Sequence, residues 1–286
     1  MSKTLSARFK EPGLISAPGI FDMISARIAD TMSFDALYMT GYGVVASHLG
    51  LPDAGLASYT EMVGRVRQIA KGTTTPLIAD GDTGYGGLLN VDFTVRGYEE
   101  AGAQAIQIED QEYPKKCGHT PGRRVVPIED AARRIKVASE ARSSKDFLII
   151  ARTDARTALG LDEALRRGEA FLNAGADILF IESPESEAEM EKIGRAFDVP
   201  LVANMVEGGR TPILSRSELE ELGFKLAIFP ASGFLAMGAA LKSIYREIQS
   251  SGSSRSWKGD LYSFDEFSRL MGFEQVWAFE RDHLES

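Results

Sequence analysis

Eight short apolar segments recur along this chain of 286 residues, and each ends in a polar or glycine-containing tail. Their branched apolar residues are typical of strands buried on both faces, as in a parallel sheet. We therefore predict eight β-strands, near Leu14–Asp22, Ala36–Gly41, Leu77–Asp82, Ala105–Asp110, Phe147–Asp154, Ile178–Ser183, Leu201–Met205 and Leu226–Ser232.

Amphipathic segments lie between these strands. We predict helices at Tyr59–Lys71, Asn90–Ala101, Pro127–Arg142, Leu161–Ala174, Ser186–Phe197 and Ser215–Leu222. Eight strands alternating with helices predict a (β/α)₈ TIM-type barrel of the α/β class. A doubly wound open sheet is the alternative, but no Gly-x-Gly-x-x-Gly fingerprint follows the first strand.

The predicted helix ends carry capping residues. Asp92 and Asp162 precede helical stretches, so we expect each to cap a helix. Ser215 followed by Glu218 has the spacing of a capping box. Three glycines lie between a helix and the next strand, where a left-handed residue is needed: Gly102, Gly175 and Gly223.

The chain changes in composition after the eighth strand. Residues 234–249 are predicted to be helical, residues 250–254 are rich in Ser and Gly, and residues 257–286 are rich in aromatic and acidic residues. We therefore predict a barrel domain of residues 1–250 and a C-terminal helical extension of residues 251–286. The extension is too apolar for a free tail, so we expect it to pack on the barrel or on a neighbouring subunit.

Composition excludes several classes of function. The formal net charge of −9 provides no basic surface for nucleic acid, and no apolar run is long enough to span a membrane. The polar amino-terminal segment lacks a signal-peptide core and the single cysteine cannot form an internal disulfide, so we expect a cytoplasmic protein. Three widely spaced histidines (His48, His119 and His283) argue against a histidine-rich zinc site.

Polar side chains follow the predicted strands, at the end of the barrel where such folds carry their active sites. They are Asp22, Thr40, Gly41, Asp80, Asp82, Glu109, Asp110, Arg152, Asp154, Glu182, Asn204 and Ser232. So many carboxylates in one place require a cationic partner, such as Arg152 or a metal ion. Asp80 and Asp82 would point the same way in an extended segment, which suits Mg²⁺ or Mn²⁺. A polar strand end followed by an Asp-Gly turn is the alternative.

The residue types at these strand ends also limit the chemistry. No lysine occurs there, which disfavours a Schiff-base aldolase mechanism. The motif Gly-x-Ser-x-Gly is absent, which disfavours a serine hydrolase. The remaining mechanism is metal-assisted, with a carboxylate-bound cation acting as a Lewis acid on an α-keto-acid or enolate oxygen.

A cationic loop follows the fourth strand and reads Tyr113-Pro-Lys-Lys-Cys117-Gly-His119-Thr-Pro-Gly-Arg123-Arg. Its prolines and glycines predict a mobile segment, and its charge suits closure over an anionic substrate. The only cysteine of the chain, Cys117, is at its centre, and neighbouring Lys116 and His119 would lower the pKa of the thiol by stabilising the thiolate. An incidental surface cysteine is the alternative.

Four motifs, in this order, resemble the isocitrate lyase/phosphoenolpyruvate mutase superfamily. They are Asp80-Gly-Asp82-Thr-Gly-Tyr-Gly, Ile108-Glu-Asp, Lys115-Lys-Cys-Gly-His119 and Ala151-Arg-Thr-Asp154. The similarity extends over most of the barrel, and the Lys-Lys-Cys-Gly-His loop is its most specific element. That loop resembles the carbon–carbon lyase branch rather than the phosphonate-processing mutases, which lack the cysteine.

The resemblance implies a role for each strand-end residue. It implies that Mg²⁺ is held by Asp80 and Asp82, with Asp53 and Glu109 reaching it through waters. It implies that the substrate is bound by Thr40, Gly41, Tyr42, Asp80, Lys116, Gly118, Arg152, Glu182 and Asn204. It also implies Cys117 as the general acid, with His119 and Arg152 as further catalytic residues. Tyr38 is a hypothetical acceptor of the substrate hydroxyl proton, and a packed aromatic side chain of the strand is the alternative.

Two differences from the family bear on the substrate. Methylisocitrate lyases carry an arginine after Ser-x-Phe, where this chain has Leu235, and Asn204-Met-Val-Glu-Gly-Gly209 is closer to the dimethylmalate lyase type. Loss of an arginine's charge-assisted bond to a third carboxylate costs roughly 1.5–3 kcal/mol. We therefore expect a dicarboxylate such as 2,3-dimethylmalate in preference to a tricarboxylate such as 2-methylisocitrate.

The implied reaction cleaves a 2-hydroxy acid into an α-keto acid such as pyruvate and a carboxylate. Hydrolysis of oxaloacetate to oxalate and acetate is the alternative, and phosphonopyruvate or carboxyphosphonoenolpyruvate mutase chemistry is a further one. The implied assembly is a homotetramer, a dimer of dimers that exchange a C-terminal helix, with no nucleic-acid or membrane partner. A non-enzymatic barrel would predict gaps in the strand-end set, and the sequence shows none.

Overall fold

All eight predicted strands are present in the computed structural model, which describes residues 4–118, 120 and 122–284. They are β1 (Ile15–Ile20), β2 (Leu37–Met39), β3 (Leu77–Asp80), β4 (Ala105–Glu109), β5 (Leu148–Thr153), β6 (Ile178–Ile181), β7 (Val202–Asn204) and β8 (Leu226–Phe229). Each observed strand lies within its predicted range. The polar tails fall outside most strands because they belong to the loops that follow.

The eight strands form a nearly closed parallel barrel. Their order in the sheet is β6-β5-β4-β3-β2-β1-β8-β7, with parallel pairing between neighbours. A parallel bridge between Leu179 and Leu201 joins the two outer strands of this order. The prediction of a (β/α)₈ barrel is therefore confirmed, and the open doubly wound sheet is excluded because its edge strands would not meet.

Thirteen helices are described. They are α1 (Leu5–Phe9), α2 (Met23–Asp30), α3 (Gly41–Val44), α4 (Tyr59–Gly72), α5 (Leu88–Ala101), α6 (Ile128–Ala141), α7 (Ala155–Leu159), α8 (Leu161–Asn173), α9 (Glu187–Ala196), α10 (Arg216–Glu221), α11 (Ser232–Ser251), α12 (Phe264–Leu270) and α13 (Phe273–Leu284). One π-helical turn, Val45–Leu49, continues α3. All six helices predicted between the strands are confirmed to within two residues at each end.

The capping predictions were confirmed at α10. The Ser215 side chain accepts from the Glu218 N–H and the Glu218 carboxylate accepts from the Ser215 N–H, which completes a capping box. The three glycines between helix and strand all have positive φ, as expected for left-handed helix ends: Gly102, Gly175 and Gly223.

The two aspartate caps were predicted wrongly. The residues before the first turns of α5 and α8 are Gly87 and Gly160, so Asp92 and Asp162 lie inside the helices. Both carboxylates form surface ion pairs instead, Asp92 with Arg96 and Asp162 with a lysine of α9. The sequence pattern did not fix the cap position, because acidic residues are favoured throughout the first turn of a helix as well as at its cap.

Apolar side chains from all eight strands fill the barrel interior. They form one buried cluster with Leu5 of α1, whose N–H donates to the Gln104 side chain at 2.7 Å. This short helix therefore lies at the amino ends of the strands, where its Leu5 completes the apolar core. The opposite rim carries the polar residues.

The chain divides into two compact units, residues 1–233 and 234–286. In the second unit, no described residue of α11, α12 or α13 is buried. Aromatic contacts occur within it, for example between Phe273 and Trp277, whose ring centroids are 5.9 Å apart. The predicted boundary between residues 250 and 251 and the predicted helix exchange stay predictions. None of the helices in the described ranges is both long and apolar enough to cross a membrane.

Two glycine substitutions should change stability in opposite directions. Gly223 has φ +86°, so Gly223→Ala forces a left-handed conformation and should destabilise the fold by about 1–2 kcal/mol. Gly64 lies inside α4 with no atom within 4 Å of an added Cβ, so Gly64→Ala should stabilise it by roughly 0.5–1 kcal/mol. Urea denaturation of both variants measures this, and a stabilised Gly223→Ala would contradict the left-handed assignment.

Candidate active site

Arg152 is the electrostatic centre of the polar rim. Its Nε and Nη2 donate to the two oxygens of Asp154 at 3.0 and 2.9 Å, and it lies 3.4 Å from carboxylate oxygens of Glu109 and Glu182. Burial lowers the pKa of Arg152, but Asp154, Glu109 and Glu182 together raise it well above its usual value. The guanidinium is therefore always charged, and it lies over the Phe180 ring at 5.2 Å.

The register of the sheet explains how these groups meet. Glu109 is the Cα partner of Arg152 across β4 and β5, so both side chains project from the same level of the barrel. Glu182 follows β6 directly, and its carboxylate accepts from Asn204 Nδ2, at the end of β7, at 3.0 Å. Four consecutive strands thus bring together residues that are far apart in the sequence.

The two aspartates after β3 adopt different backbone conformations. The strand ends at Asp80, and Asp82 has φ +48°, so the expectation that both lie in one extended segment was wrong. The turn still brings them together, because the Asp82 N–H donates to Asp80 Oδ1 at 3.0 Å. Burial raises the pKa of Asp82 to about 7, with Asp80 and Asp53 adding to the effect and Lys115 opposing it.

Lys115 is a buried cation that the sequence reasoning missed. Its Nζ forms ion pairs with Asp53 and, at 2.7 Å, with Asp82. Burial lowers the pKa of Lys115, but Asp82 and Asp53 raise it well above its usual value. The lysine comes from the loop after β4 rather than from a strand end. Lys116, predicted to bind substrate, is exposed, with Nζ 3.4 Å from the Gly122 carbonyl oxygen.

The buried charges of the described residues do not balance. Six acidic and four basic residues are buried: Asp80, Asp82, Glu109, Asp110, Asp154, Glu182, Lys115, Arg123, Arg152 and Arg167. Six carboxylates against four cations leave an excess of two negative charges, and the Asp53 carboxylate, only 6% exposed, adds to it. Such an excess is relieved by protonation or by a bound cation.

A metal ion fits the chemistry of this cluster. In the described part of the chain, no three His, Cys, Asp or Glu side chains are arranged to enclose a metal ion by themselves. Mg²⁺ does not need such a cage, since it commonly uses one or two carboxylates together with waters and substrate oxygens. Buried Glu109 Oε1 also has no hydrogen-bond partner among the described residues. The residues present therefore suit a hard divalent cation.

The cysteine loop, whose described residues are 111–118, 120 and 122–125, contacts the strand-end residues directly. The Cys117 N–H donates to the Asp53 carbonyl at 3.1 Å, and Cys117 itself is half-buried. A methyl group added at Gly118 would overlap the Arg152 guanidinium and lie 2.9 Å from a Glu182 oxygen. Only glycine allows the loop to approach this closely. His119, predicted to be catalytic, lies outside the described residues.

Tyr38 occupies the barrel interior rather than an open cleft. It is 3% exposed, and its hydroxyl donates to Gln107 Oε1 at 3.0 Å. Gln107 Nε2 in turn lies 3.4 Å from Asp80 Oδ1. Burial, and next the charge of Asp80, raise the pKa of Tyr38 well above its usual value. This environment favours Tyr38 as a hydrogen-bond donor to Gln107 rather than as an acceptor of the substrate hydroxyl proton.

The residues after β2 begin a short helix. Thr40 precedes it, Gly41 is its first residue, and an added Cβ at Gly41 would lie 2.7 Å from Asp80 Oδ2. The first N–H groups of a helix point out of its end and can donate to an anion. Tyr42 is 40% exposed. The predicted roles of Thr40, Gly41 and Tyr42 in binding a substrate carboxylate stay predictions.

Comparison with known proteins shows similarity over nearly the whole chain. The phosphoenolpyruvate phosphomutase family matches residues 5–249. The chain is 46% identical over 270 residues to 2,3-dimethylmalate lyase of Eubacterium barkeri (94% of this chain, 93% of that protein), and 40% identical over 260 residues to 2-methylisocitrate lyase of Aeropyrum pernix (91% and 83%). The solved structure of oxaloacetate acetylhydrolase with the inhibitor 3,3-difluorooxalacetate has a TM-score of 0.93 and 32% identity (98% of this chain, 96% of that chain).

Removal of the central guanidinium should be costly. Arg152→Met leaves Asp154, Glu109 and Glu182 buried without their shared cation, so the free energy of unfolding should fall by about 3–5 kcal/mol. The matched control is Arg96→Met, which removes an exposed arginine that pairs with Asp92 on the surface of α5, and it should have little effect. Urea denaturation measures both, and equal stabilities would show that Arg152 does not compensate the cluster.

Proposed function

The chain belongs to the phosphoenolpyruvate mutase/isocitrate lyase superfamily, in its carbon–carbon lyase branch, and we propose that it cleaves a 2-hydroxy dicarboxylate of the substituted-malate type. The products are an α-keto acid such as pyruvate and a second carboxylate. One observation carries this proposal: Gly118, the neighbour of Cys117, packs against the buried guanidinium of Arg152. A proton donor and an anion-binding cation are thereby held at one rim of the barrel.

A dicarboxylate substrate is supported by two features of the chain. The sequence is more similar to the dimethylmalate lyase than to the methylisocitrate lyase described above, at 46% against 40% identity. Leu235 stands where the resemblance places an arginine in the tricarboxylate lyases. A substrate with a third carboxylate would lose a charge-assisted hydrogen bond there. We therefore favour 2,3-dimethylmalate or a related 2-alkylmalate.

We propose Mg²⁺ as the cofactor, with Mn²⁺ as a substitute of similar ligand preference. Asp80 and Asp82 would hold it, and Asp53 and Glu109 would reach it through waters. When bound, the ion would supply Lewis-acid polarisation of the keto-acid oxygens. The excess of buried negative charge around these residues supports the assignment.

Different side chains have different roles in the cleavage. Arg152 binds the oxygens of the forming keto acid, and Lys115 adds a second fixed positive charge to the cluster. The hydroxyl proton of the substrate passes to a base. The raised pKa of Tyr38 disfavours that residue, which leaves the strand-end carboxylates. The electron pair of the C2–C3 bond then moves to C3, and the Cys117 thiol donates its proton to that carbon.

Hydrolysis of oxaloacetate is a second candidate reaction. The structural similarity to oxaloacetate acetylhydrolase, with a TM-score of 0.93, favours it. In that reaction water adds to the C2 carbonyl of oxaloacetate, and cleavage of the C2–C3 bond gives oxalate and acetate. Arg152 and Cys117 would have the same tasks, since the leaving fragment is again a carboxylate-stabilised carbanion.

We also propose that the protein forms a homotetramer in the cytoplasm. The second unit supports association because its helices expose large apolar side chains, among them Tyr245, Ile248, Phe264 and Phe279. A second copy of this chain would cover them. Light scattering coupled to gel filtration measures the mass, and a monomer of 31.1 kDa would contradict the proposal.

Keto-acid release should identify the reaction. With Mg²⁺ present, pyruvate should form from 2,3-dimethylmalate faster than from 2-methylisocitrate, and EDTA should abolish it. Cys117→Ser should reduce turnover by about 100-fold or more, because a serine hydroxyl is a far weaker acid than a thiol. Coupling to lactate dehydrogenase measures pyruvate.

The control for this assay is Arg124→Gln on the same loop, since Arg124 is exposed and pairs only with Glu112 in the described residues. It should keep wild-type turnover. Oxalate and acetate from oxaloacetate, with no pyruvate from 2,3-dimethylmalate or 2-methylisocitrate, would instead assign the hydrolase reaction. Full activity of the Cys117→Ser variant would show that the thiol is not the general acid.

Metal binding should depend on the buried aspartate. Asp82→Asn removes one charge from the proposed site and should weaken Mn²⁺ binding by about 10- to 100-fold. Asp92→Asn makes the same chemical change at the exposed surface of α5 and should not alter binding. Isothermal titration of the proteins without substrate measures the affinity. Equal affinities for Asp82→Asn and wild type would exclude Asp82 as a ligand.

A further inference from the structure

Arg123 is buried in the cysteine loop but has no task in the proposed reaction. Its side chain is 1% exposed, whereas that of the adjacent Arg124 is 79% exposed. A buried guanidinium is costly unless its donors are satisfied by carboxylates or other acceptors. The partners of Arg123 therefore show what holds this end of the loop in place.

The partners of Arg123 belong to the rigid barrel. Its Nη1 donates to Asp154 Oδ1, and its Nη2 donates to Thr157 Oγ1 at 2.7 Å. The same nitrogen lies 3.5 Å from Ser183 Oγ. Asp154 and Thr157 follow β5, and Ser183 follows β6, so a single loop side chain bridges the ends of two neighbouring strands.

Ser183 connects this bridge to the segment that carries the thiol. Its Oγ lies 3.1 Å from the Gly118 carbonyl oxygen, to which it can donate, and 3.0 Å from a Glu182 oxygen. Ser183 has φ +61°, an uncommon conformation for a residue with a side chain, so the surrounding contacts must hold it there. The carbonyl group next to Cys117 is therefore tied to the same group of residues as Arg123.

Asp154 links the loop to the substrate-binding cation. The Asp154 carboxylate accepts a hydrogen bond from Arg123 at Oδ1 and hydrogen bonds from Arg152 at both oxygens. Movement of Arg123 away from Asp154 would leave that carboxylate with a single cationic partner. Loop position and the orientation of Arg152 are therefore coupled through one shared group.

We propose that Arg123 is a positioning residue that anchors the cysteine loop to the ends of β5 and β6 and thereby holds Cys117 against the strand-end cluster. The catalytic consequence of this anchoring rests on the proposed lyase function. The anchoring itself does not, because it concerns where the thiol is held rather than what the thiol does.

The single cysteine allows a test that does not depend on activity. Cys117 is the only thiol of the chain, so its rate of modification by a disulfide reagent such as DTNB reports on this loop alone. Arg123→Gln should increase that rate by about tenfold or more, as expected for loss of charge-assisted hydrogen bonds. Arg124→Gln is the matched control and should leave the rate unchanged. Urea denaturation confirms that each variant is folded.

The direction of the change separates anchoring from electrostatics. Loss of a nearby positive charge without loop movement would raise the pKa of the thiol and slow its modification. Faster modification therefore indicates release of the loop. Arg123→Lys keeps a charge that can pair with Asp154 but loses the bond to Thr157, and it should give an intermediate rate.

Two results would overturn the proposal. One is a folded Arg123→Gln whose thiol reacts at or below the wild-type rate. The other is an equal increase in Arg124→Gln, which would show that any loss of charge in the loop has the same effect. If the thiol result holds but no substrate is cleaved, the anchoring stands and the proposed lyase function fails. If turnover is present, Arg123→Gln should lower kcat more than it raises KM, since the misplaced group acts after substrate binding.

Discussion

The burial of carboxylates at one rim of the barrel is the constraint on which the rest of the structure depends. Closure of eight parallel strands puts all their carboxyl ends at the same level, so acids that follow different strands are forced together. Among the described residues, six buried acids share this region with four buried cations. Their mutual repulsion and lost hydration would destabilise the fold if the cations were removed. The positions of those cations therefore determine the site.

Two of the four buried cations in the described part of the chain come from the loop that carries the thiol. Arg152 belongs to β5 and Arg167 to α8, but Lys115 and Arg123 are both supplied by the cysteine loop. Lys115 pairs with Asp53 and Asp82, while Arg123 pairs with Asp154. The net charge of the cluster consequently depends on the position of the loop. If the loop leaves the rim, the acids lose two of their partners, and this electrostatic cost favours its return.

The fold could be predicted from the sequence because its signals are local. Each strand is an apolar run and the Ser215 cap is a three-residue spacing, so neither requires knowledge of distant contacts. The predictions were wrong where a local sequence pattern is compatible with two structures. Asp92 was read as a cap, but α5 already begins at Leu88, and acids stabilise a first turn from inside it as well. The backbone at Asp82 was read as extended, but it turns through a positive φ.

The site was only partly predictable because tertiary contacts determine which basic side chains are buried in it. Two lysines and two arginines are adjacent in the cysteine loop, and in each pair the first is buried and the second exposed. The sequence of each pair does not indicate which residue is buried, since the two side chains of a pair have the same charge and length. The choice follows from where the loop meets the barrel: Gly118 contacts Arg152 and Glu182, which fixes the loop's height above the rim. Lys115 and Arg123, on either side of that contact, then face the acids of β3 and β5. The close approach at Gly118 therefore fits the burial of Lys115 and Arg123, rather than Lys116 and Arg124, among these acids.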